Sequence, residues 1–208
     1  MDIHIKSLQE SPFNYDDVVA LLHSSFEERL EQGLRFTCSF MTVKDLQERT
    51  RNGIVLVAWS PDEKVLLGTV SMSYKIDKHG IKFGYHENLA VSPMAKRMGV
   101  GKLLFAKFVS IVSSNYCQYI ISDTAVDAKS SVLWHINNGF KIIALRSFPS
   151  TNYYSYIFRK QLSPSKMWNN KLFIWLRYNI SSILIKSIYK KDGKYTFFGQ
   201  MLRQFIRR

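Results

Sequence analysis

Cysteine is almost missing from this chain: Cys38 and Cys117 are the only two in 208 residues, and their spacing suits neither a disulfide framework nor a zinc site. A stapled secreted scaffold is therefore excluded, and a reducing, cytoplasmic setting is expected. No run of 18 uninterrupted apolar residues occurs, so no transmembrane helix is expected. The N-terminal Met1-Asp-Ile-His-Ile-Lys6 alternates polar and apolar residues like a strand, unlike a signal peptide. With no His/Cys/Asp cluster of metal-binding spacing, no metal is expected. Acidic residues are also scarce, 16 against 29 Lys and Arg, for a net charge of +13. That excess is local. From Ser163 onward ten basic residues face Asp192 alone, so +9 of the total belongs to the last 46 residues.

What is present suits a folded domain of ordinary size, since 46% of residues are hydrophobic. Residues 2–8 read as a first strand. A helix is expected after Asn14, where Asn14 and Asp17 form a variant capping box and Val18, Leu21, Leu22 and Phe26 follow at helical spacing. A second helix is expected from Thr42, capped through Asp45 and stopped at Asn52-Gly53. The β-rich runs 54–59 and 65–74, joined by a Pro-Asp turn, predict a hairpin. Strands are further expected at 82–91, 119–124, 142–148 and 153–159, with a short helix over 129–138 stopped by Gly139. The fold class that follows is α+β (mixed α/β), with strands and helices mixed around one central sheet.

The densest signal is Leu89-Ala-Val-Ser-Pro-Met-Ala-Lys-Arg-Met-Gly-Val-Gly-Lys-Leu-Leu104. A strand runs into Pro93, a basic pair, Gly99-x-Gly101 and then an amphipathic helix expected to bury Val100, Leu103, Leu104, Phe108, Ile111 and Val112 on one stripe. Glycines let backbone amides converge on a ligand, and the helix N-terminus behind them favours phosphate. Lys96, Arg97 and Lys102 add full positive charge. The spacing is neither a P-loop nor the dinucleotide fingerprint, whose third glycine would fall at Leu104.

Leu89, Val91, Pro93, Gly99 and Gly101 resemble, position for position, the coenzyme motif of the GNAT superfamily of acetyl-coenzyme A-dependent N-acetyltransferases. Lys96 stands where that family carries Arg or Gln. His135-Ile-Asn-Asn-Gly139-Phe140 matches a second family element with His in place of Tyr, while the upstream Asn and Ala positions are Ala128 and Ser131. The resemblance spans about residues 1–162, which suggests a division into a GNAT-like domain (1–162) and a basic helical extension (163–208). It implies a central, mostly antiparallel twisted sheet flanked by helices, and acetyl-CoA as co-substrate. Backbone groups of Leu89, Ala90 and Val91 would meet the pantetheine arm, with Leu89 the choice to polarise the thioester carbonyl. Amides of Lys96, Arg97, Met98, Gly99, Val100, Gly101 and Lys102 would hold the pyrophosphate. For the general base three readings stand side by side: Glu87, expected on the substrate side by strand parity with Leu89; Asp123 at the end of a strand; or a water relay. His135 would protonate the departing thiolate, helped by an ordinary imidazole pKa near 6.5. Tyr116, Tyr153 and Tyr154 are alternatives for that role. His86 reads as a partly exposed strand residue.

The acceptor expected is the primary amine of a small molecule such as an amino sugar; the resemblance implies that its specificity sits in the first two helices, their connection (about residues 26–41) and the closing hairpin. Glu27, Glu28 and Glu31 are candidates to attract it. In the tail, Trp168, Leu172, Trp175, Leu176, Ile180, Ile183, Leu184 and Ile188 share a helical stripe. The pairs Phe197/Phe198, Met201/Leu202 and Phe205/Ile206 then recur every four residues. Aromatic and basic residues so interleaved point to an anionic membrane surface met through 166–208, at the inner face, with packing on the core or in a homodimer as the other arrangements. Nucleic acid ranks last, because no reading motif accompanies the charge. Two rival functions remain: a non-catalytic acyl-CoA-binding module, and an acetyltransferase of protein N-termini or lysines.

Overall fold

A computed structural model describes residues 2–62, 64–162 and 196–206, with side chains to Met201 in the last segment. Seven strands form one sheet: β1 (His4–Ser7), β2 (Gly53–Ser60), β3 (Val65–Ile76), β4 (Lys82–Val91), β5 (Tyr119–Ala125), β6 (Lys141–Ser147) and β7 (Tyr154–Gln161). Their order is β1-β2-β3-β4-β5-β7-β6. Every pairing is antiparallel except β4 with β5. Helices α1 (Tyr15–Glu31), α2 (Val43–Thr50), α3 (Val100–Ser114) and α4 (Lys129–Asn137) complete the body. The expected α+β class is the one observed.

The sheet is buried on both faces because β2 alternates between two cores. Val55, Val57 and Trp59 pack with Val18, Leu22 and Leu46 of α1 and α2. Leu56 and Ala58 pack with Val100, Leu104, Phe105 and Phe108 of α3. Period-2 side chains meeting period-3.6 stripes on each side are the physical basis of this layering. Both expected capping boxes form, Asn14 with Asp17 and Thr42 with Asp45. Gly139, at φ +80°, ends α4 as a left-handed C-terminal residue.

Gly53 has a different role from the one expected. Helix α2 stops at Thr50, and Gly53 opens β2. A Cβ there would lie 1.8 Å from the Met72 carbonyl oxygen, so glycine is required by the close approach of β3. The hairpin of β6 and β7 also holds a feature no hairpin signal announces: β7 inserts between β5 and β6.

The stripe from Trp168 to Ile188 lies outside the described residues. In the described part of the tail, Phe197–Ile206 forms helix α5, with Phe197, Phe198 and Met201 exposed. Among the described residues, no helix is long and apolar enough to cross a membrane.

Replacing Gly53 by Ala should lower the unfolding free energy by about 1–3 kcal/mol, as overpacking of a tight site does. Urea denaturation checks this, and an unchanged midpoint would show that the β2–β3 ladder can shift to admit a methyl group.

Candidate active site

The site begins where two strands separate. β4 pairs with β5 only from Phe83 to Tyr85, against Tyr119 to Ile121. Beyond that point β4 keeps its ladder to β3, and its other edge faces an opening. In the β3–β4 ladder, Thr69 pairs with Ala90 and Ser71 with Glu87, so β4 carries one extra residue. This bulge centres on Asn88, whose φ is +53°, a conformation asparagine adopts more readily than most residues. The Asn88 amide is held from two sides. Its Nδ2 donates to Ser71 Oγ at 2.7 Å, and Cys38 Sγ donates to its Oδ1 at 3.2 Å. Burial pushes the Cys38 thiol up to about 12, so it remains a donor at neutral pH.

The bulge corrects the parity expected of Glu87 and Leu89. Leu89 packs against the α3-side core, whereas Glu87 turns to the opposite face, 3.6 Å from Arg49. Two residues apart on an unbroken strand they would share a face; the extra residue separates them.

A cavity of about 400 Å³ occupies the opening. One wall holds His86, Ser122, Trp134 and His135; the other holds Tyr85, Glu87, Asp123, Arg49, Lys75, Cys38 and Tyr153. On the first wall, His86 is buried and not partly exposed as expected, its ring stacked with Trp134 at 5.7 Å. His135 is buried as well, stacked on Phe158 at 4.4 Å. Its Nδ1 lies 2.7 Å from the Ser131 carbonyl, which only a protonated Nδ1 can satisfy, and its Nε2 lies 2.9 Å from Ser122 Oγ. Burial lowers the pKa of His135 to about 4 and that of His86 to about 3. His135 is thus neutral at pH 7 with both ring nitrogens engaged. The proton-donor argument, which rested on an ordinary imidazole, does not survive this environment.

On the second wall two carboxyls converge. Asp123 accepts from Tyr85 Oη at 2.9 Å, and burial raises its pKa. Burial also raises the pKa of Glu87, opposed by Lys75 and Arg49 and reinforced by Asp123. Tyr153 is buried beside them against Phe36, ring centroids 4.8 Å apart. The sequence reading missed Arg49, Lys75 and Tyr85. Tyr85 was within reach of period-2 counting from Glu87, but Arg49 and Lys75 come from α2 and the end of β3, whose approach no local pattern encodes. Tyr116, by contrast, is 89% exposed and lines no part of this cavity. Glu27, Glu28 and Glu31 do not line it either; Glu28 instead pairs with Lys96 at 3.1 Å, so α1 offers the cavity no acidic wall.

β4 leads through the turn Pro93–Ala95 into α3. The Val91 carbonyl accepts from Ser25 Oγ at 3.2 Å, which ties the strand end to α1. Ala90 is buried toward α1 and α2. Arg97 and Gly99 both adopt positive φ, +70° and +80°, curling the chain so that Gly99 caps α3. The first i→i−4 bond of α3 runs from Leu103 N–H to the Gly99 carbonyl, which leaves the Val100, Gly101 and Lys102 amides at the open helix end. A Cβ on Gly99 would meet nothing within 4 Å, and one on Gly101 only Val91 at 3.4 Å. This open turn, with amides at the helix end and no acid in the first turn of α3, suits a phosphate group. Met98 is half exposed at its edge.

No protein-family model matches the chain, and no curated protein matches it in sequence. Solved structures do match its shape. A GNAT-family acetyltransferase from Staphylococcus aureus Mu50 aligns over 78% of this chain and all of its own, with TM-score 0.58 and 16% identity. The NatC complex bound to Gag peptide and CoA aligns over 78% and 100%, with TM-score 0.63 and 14% identity. The PaiA N-acetyltransferase from Thermoplasma acidophilum, solved with coenzyme A, aligns over 77% and 99%, with TM-score 0.56 and 18% identity. The fold is that of the GNAT acetyltransferases, as the Leu89–Leu104 motif implied.

The buried histidines give stability a defined pH dependence. Their folded pKa values lie below the unfolded value, so between about pH 4 and 6.5 the unfolded chain binds protons that the folded chain refuses. This contribution is complete above pH 6.5 and is lost as pH falls toward 4. Substituting Gln for His135 should reduce the rise of unfolding free energy with pH across that window by about 1.4 kcal/mol per pH unit, one proton's worth. Urea denaturation at several pH values measures the two slopes; parallel slopes would mean His135 titrates normally.

Proposed function

We propose that this chain is an N-acetyltransferase that moves the acetyl group of acetyl-CoA to the primary amine of a small molecule such as an amino sugar. The observation that carries the reading is the continuity of three parts along one strand. The β4–β5 opening, the Asn88 bulge and the Arg97–Lys102 turn follow one another, so a phosphate at the turn and a reacting group at the carboxyls can belong to one extended ligand. The likeness to structures solved with coenzyme A supports the same assignment.

Acetyl-CoA, when bound, would supply an activated acyl carbon: the amine nitrogen forms the new C–N bond as the C–S bond breaks, and the CoA thiolate leaves and takes its proton from solvent. The chain's own tasks are to orient and to move protons. The amides of Arg97 to Lys102 and the Lys102 side chain would hold the pyrophosphate, and backbone groups of β4 at Leu89 and Val91 would meet the pantetheine arm. Glu87 takes the proton from the acceptor amine. Arg49, 3.6 Å away, favours its ionised form while burial keeps its proton affinity above the usual carboxylate range, a combination suited to a base near neutral pH. Asp123, fixed by Tyr85, orients the amine.

The basic tail, with +9 from Ser163 onward and exposed Phe197, Phe198 and Met201 on α5, supports contact with an anionic bilayer at the inner membrane face. Vesicles containing a third phosphatidylglycerol should sediment with the protein and pure phosphatidylcholine vesicles should not; equal recovery from both would end that assignment.

Incubation with acetyl-CoA and a pool of amines, read by mass spectrometry, should yield an acetylated product. Changing Glu87 to Gln should lower kcat by about 100- to 10,000-fold and abolish the acidic limb of its pH profile. A kcat within threefold of the parent would move the base role to Asp123 or water.

A further inference from the structure

Charge on the second wall of the cavity is neutralised unevenly. Four lining residues there carry charge: Glu87, Asp123, Arg49 and Lys75. Glu87 has Arg49 as a partner, and Asp123 has the Tyr85 hydroxyl. The Lys75 ammonium has no carboxylate within 4.0 Å among the described residues and instead sits 4.1 Å over the Tyr85 ring. Arg49 meets Glu87 through one nitrogen at 3.6 Å, longer than a hydrogen bond, so among the described residues its donor fork is unspent. Depth sorts these charges. The Glu87 side chain is 14% exposed and that of Arg49 40%, while Lys75 stands exposed at the outer end of β3. The site is therefore acidic at the bottom, beside the strand opening, and cationic at the rim. Thr37, Thr151, Phe36 and Tyr153 also line the cavity.

A simple cationic amine would meet Lys75 and Arg49 before reaching the carboxyls, and repulsion at the rim would slow its entry. An acceptor with a negative end would satisfy both regions at once. Resting on the acetyl transfer proposed above, we propose that the acceptor is an amine that also carries an anionic oxygen group, a carboxylate or a phosphate, with the amine at Glu87 and Asp123 and the anion held by Lys75 and Arg49. Polyamines are correspondingly poor acceptors. Charge-assisted hydrogen bonds to such a group lie in a partly desolvated setting and are sufficient for discrimination of one to two orders of magnitude.

The test compares matched acceptors under identical acetyl-CoA: amino acids against their amides, and amino-sugar phosphates against the unphosphorylated sugars, with spermidine as a cation-only control. The anionic member of at least one pair should show kcat/KM about 10–100-fold above its neutral partner, and the pair that does so distinguishes carboxylate from phosphate. In Lys75→Gln that ratio should collapse, mainly through KM for the anionic acceptor, and Lys75→Arg should restore much of it. Neutral acceptors matching or beating their anionic partners, or an undiminished ratio in Lys75→Gln, would overturn the inference while leaving acetyl transfer intact. Bound coenzyme with no amine acetylated would remove the parent reading and this one with it.

Discussion

The extra residue in β4 is the constraint on which the rest of the site depends. A parallel pair such as β4–β5 would ordinarily continue its ladder to the ends of both strands, burying the polar edge groups that a ligand needs. Here pairing stops at Tyr85 and Ile121, and the Asn88 bulge then bends β4 away while keeping its bonds to β3. Positive φ at a non-glycine residue costs free energy, so it needs support from elsewhere. Ser71 and Cys38 supply that support through the Asn88 amide. The same bend delivers Glu87 to one wall, Leu89 to the other, and the chain end to the Gly99 turn.

The two walls then differ in electrostatic character for a common reason, desolvation. On the α3–α4 wall it drives His86 and His135 to the neutral form, leaving a chain of hydrogen bonds through Ser122 that no longer offers an easily released proton. On the α1–α2 wall it drives Glu87 and Asp123 toward protonation, and two cations at the rim oppose it. Wall and rim together create a gradient of charge across a small cavity. Such a gradient orients a dipolar molecule better than it attracts a simply charged one.

Much of this was legible wherever the determinant is local. The capping boxes at Asn14 and Thr42, the left-handed stop at Gly139 and the strand–turn–helix of Leu89–Leu104 each depend on residues within a few positions of one another, and each appears where expected. Gly53 shows the limit of that reasoning. Its neighbours in sequence suggest a helix stop, yet its real constraint is the Met72 carbonyl, brought near by strand pairing. His135 is a second case: the motif frame carries no sign of its burial, which Trp134, Phe140 and Phe158 on β7 impose and which decides its protonation.

By itself, then, the sequence determined the order of elements, the mixed α+β class, the glycine turn before α3 and the concentration of charge in the tail, because hydrophobic period, caps and glycine φ preferences act over a few residues. Tertiary structure alone decided that β7 enters between β5 and β6, that a bulge reverses the face of Glu87 relative to Leu89, and that Arg49 and Lys75 ring the same cavity as Asp123. Those outcomes depend on contacts between residues tens of positions apart, and on the burial such contacts impose, which no window of sequence contains.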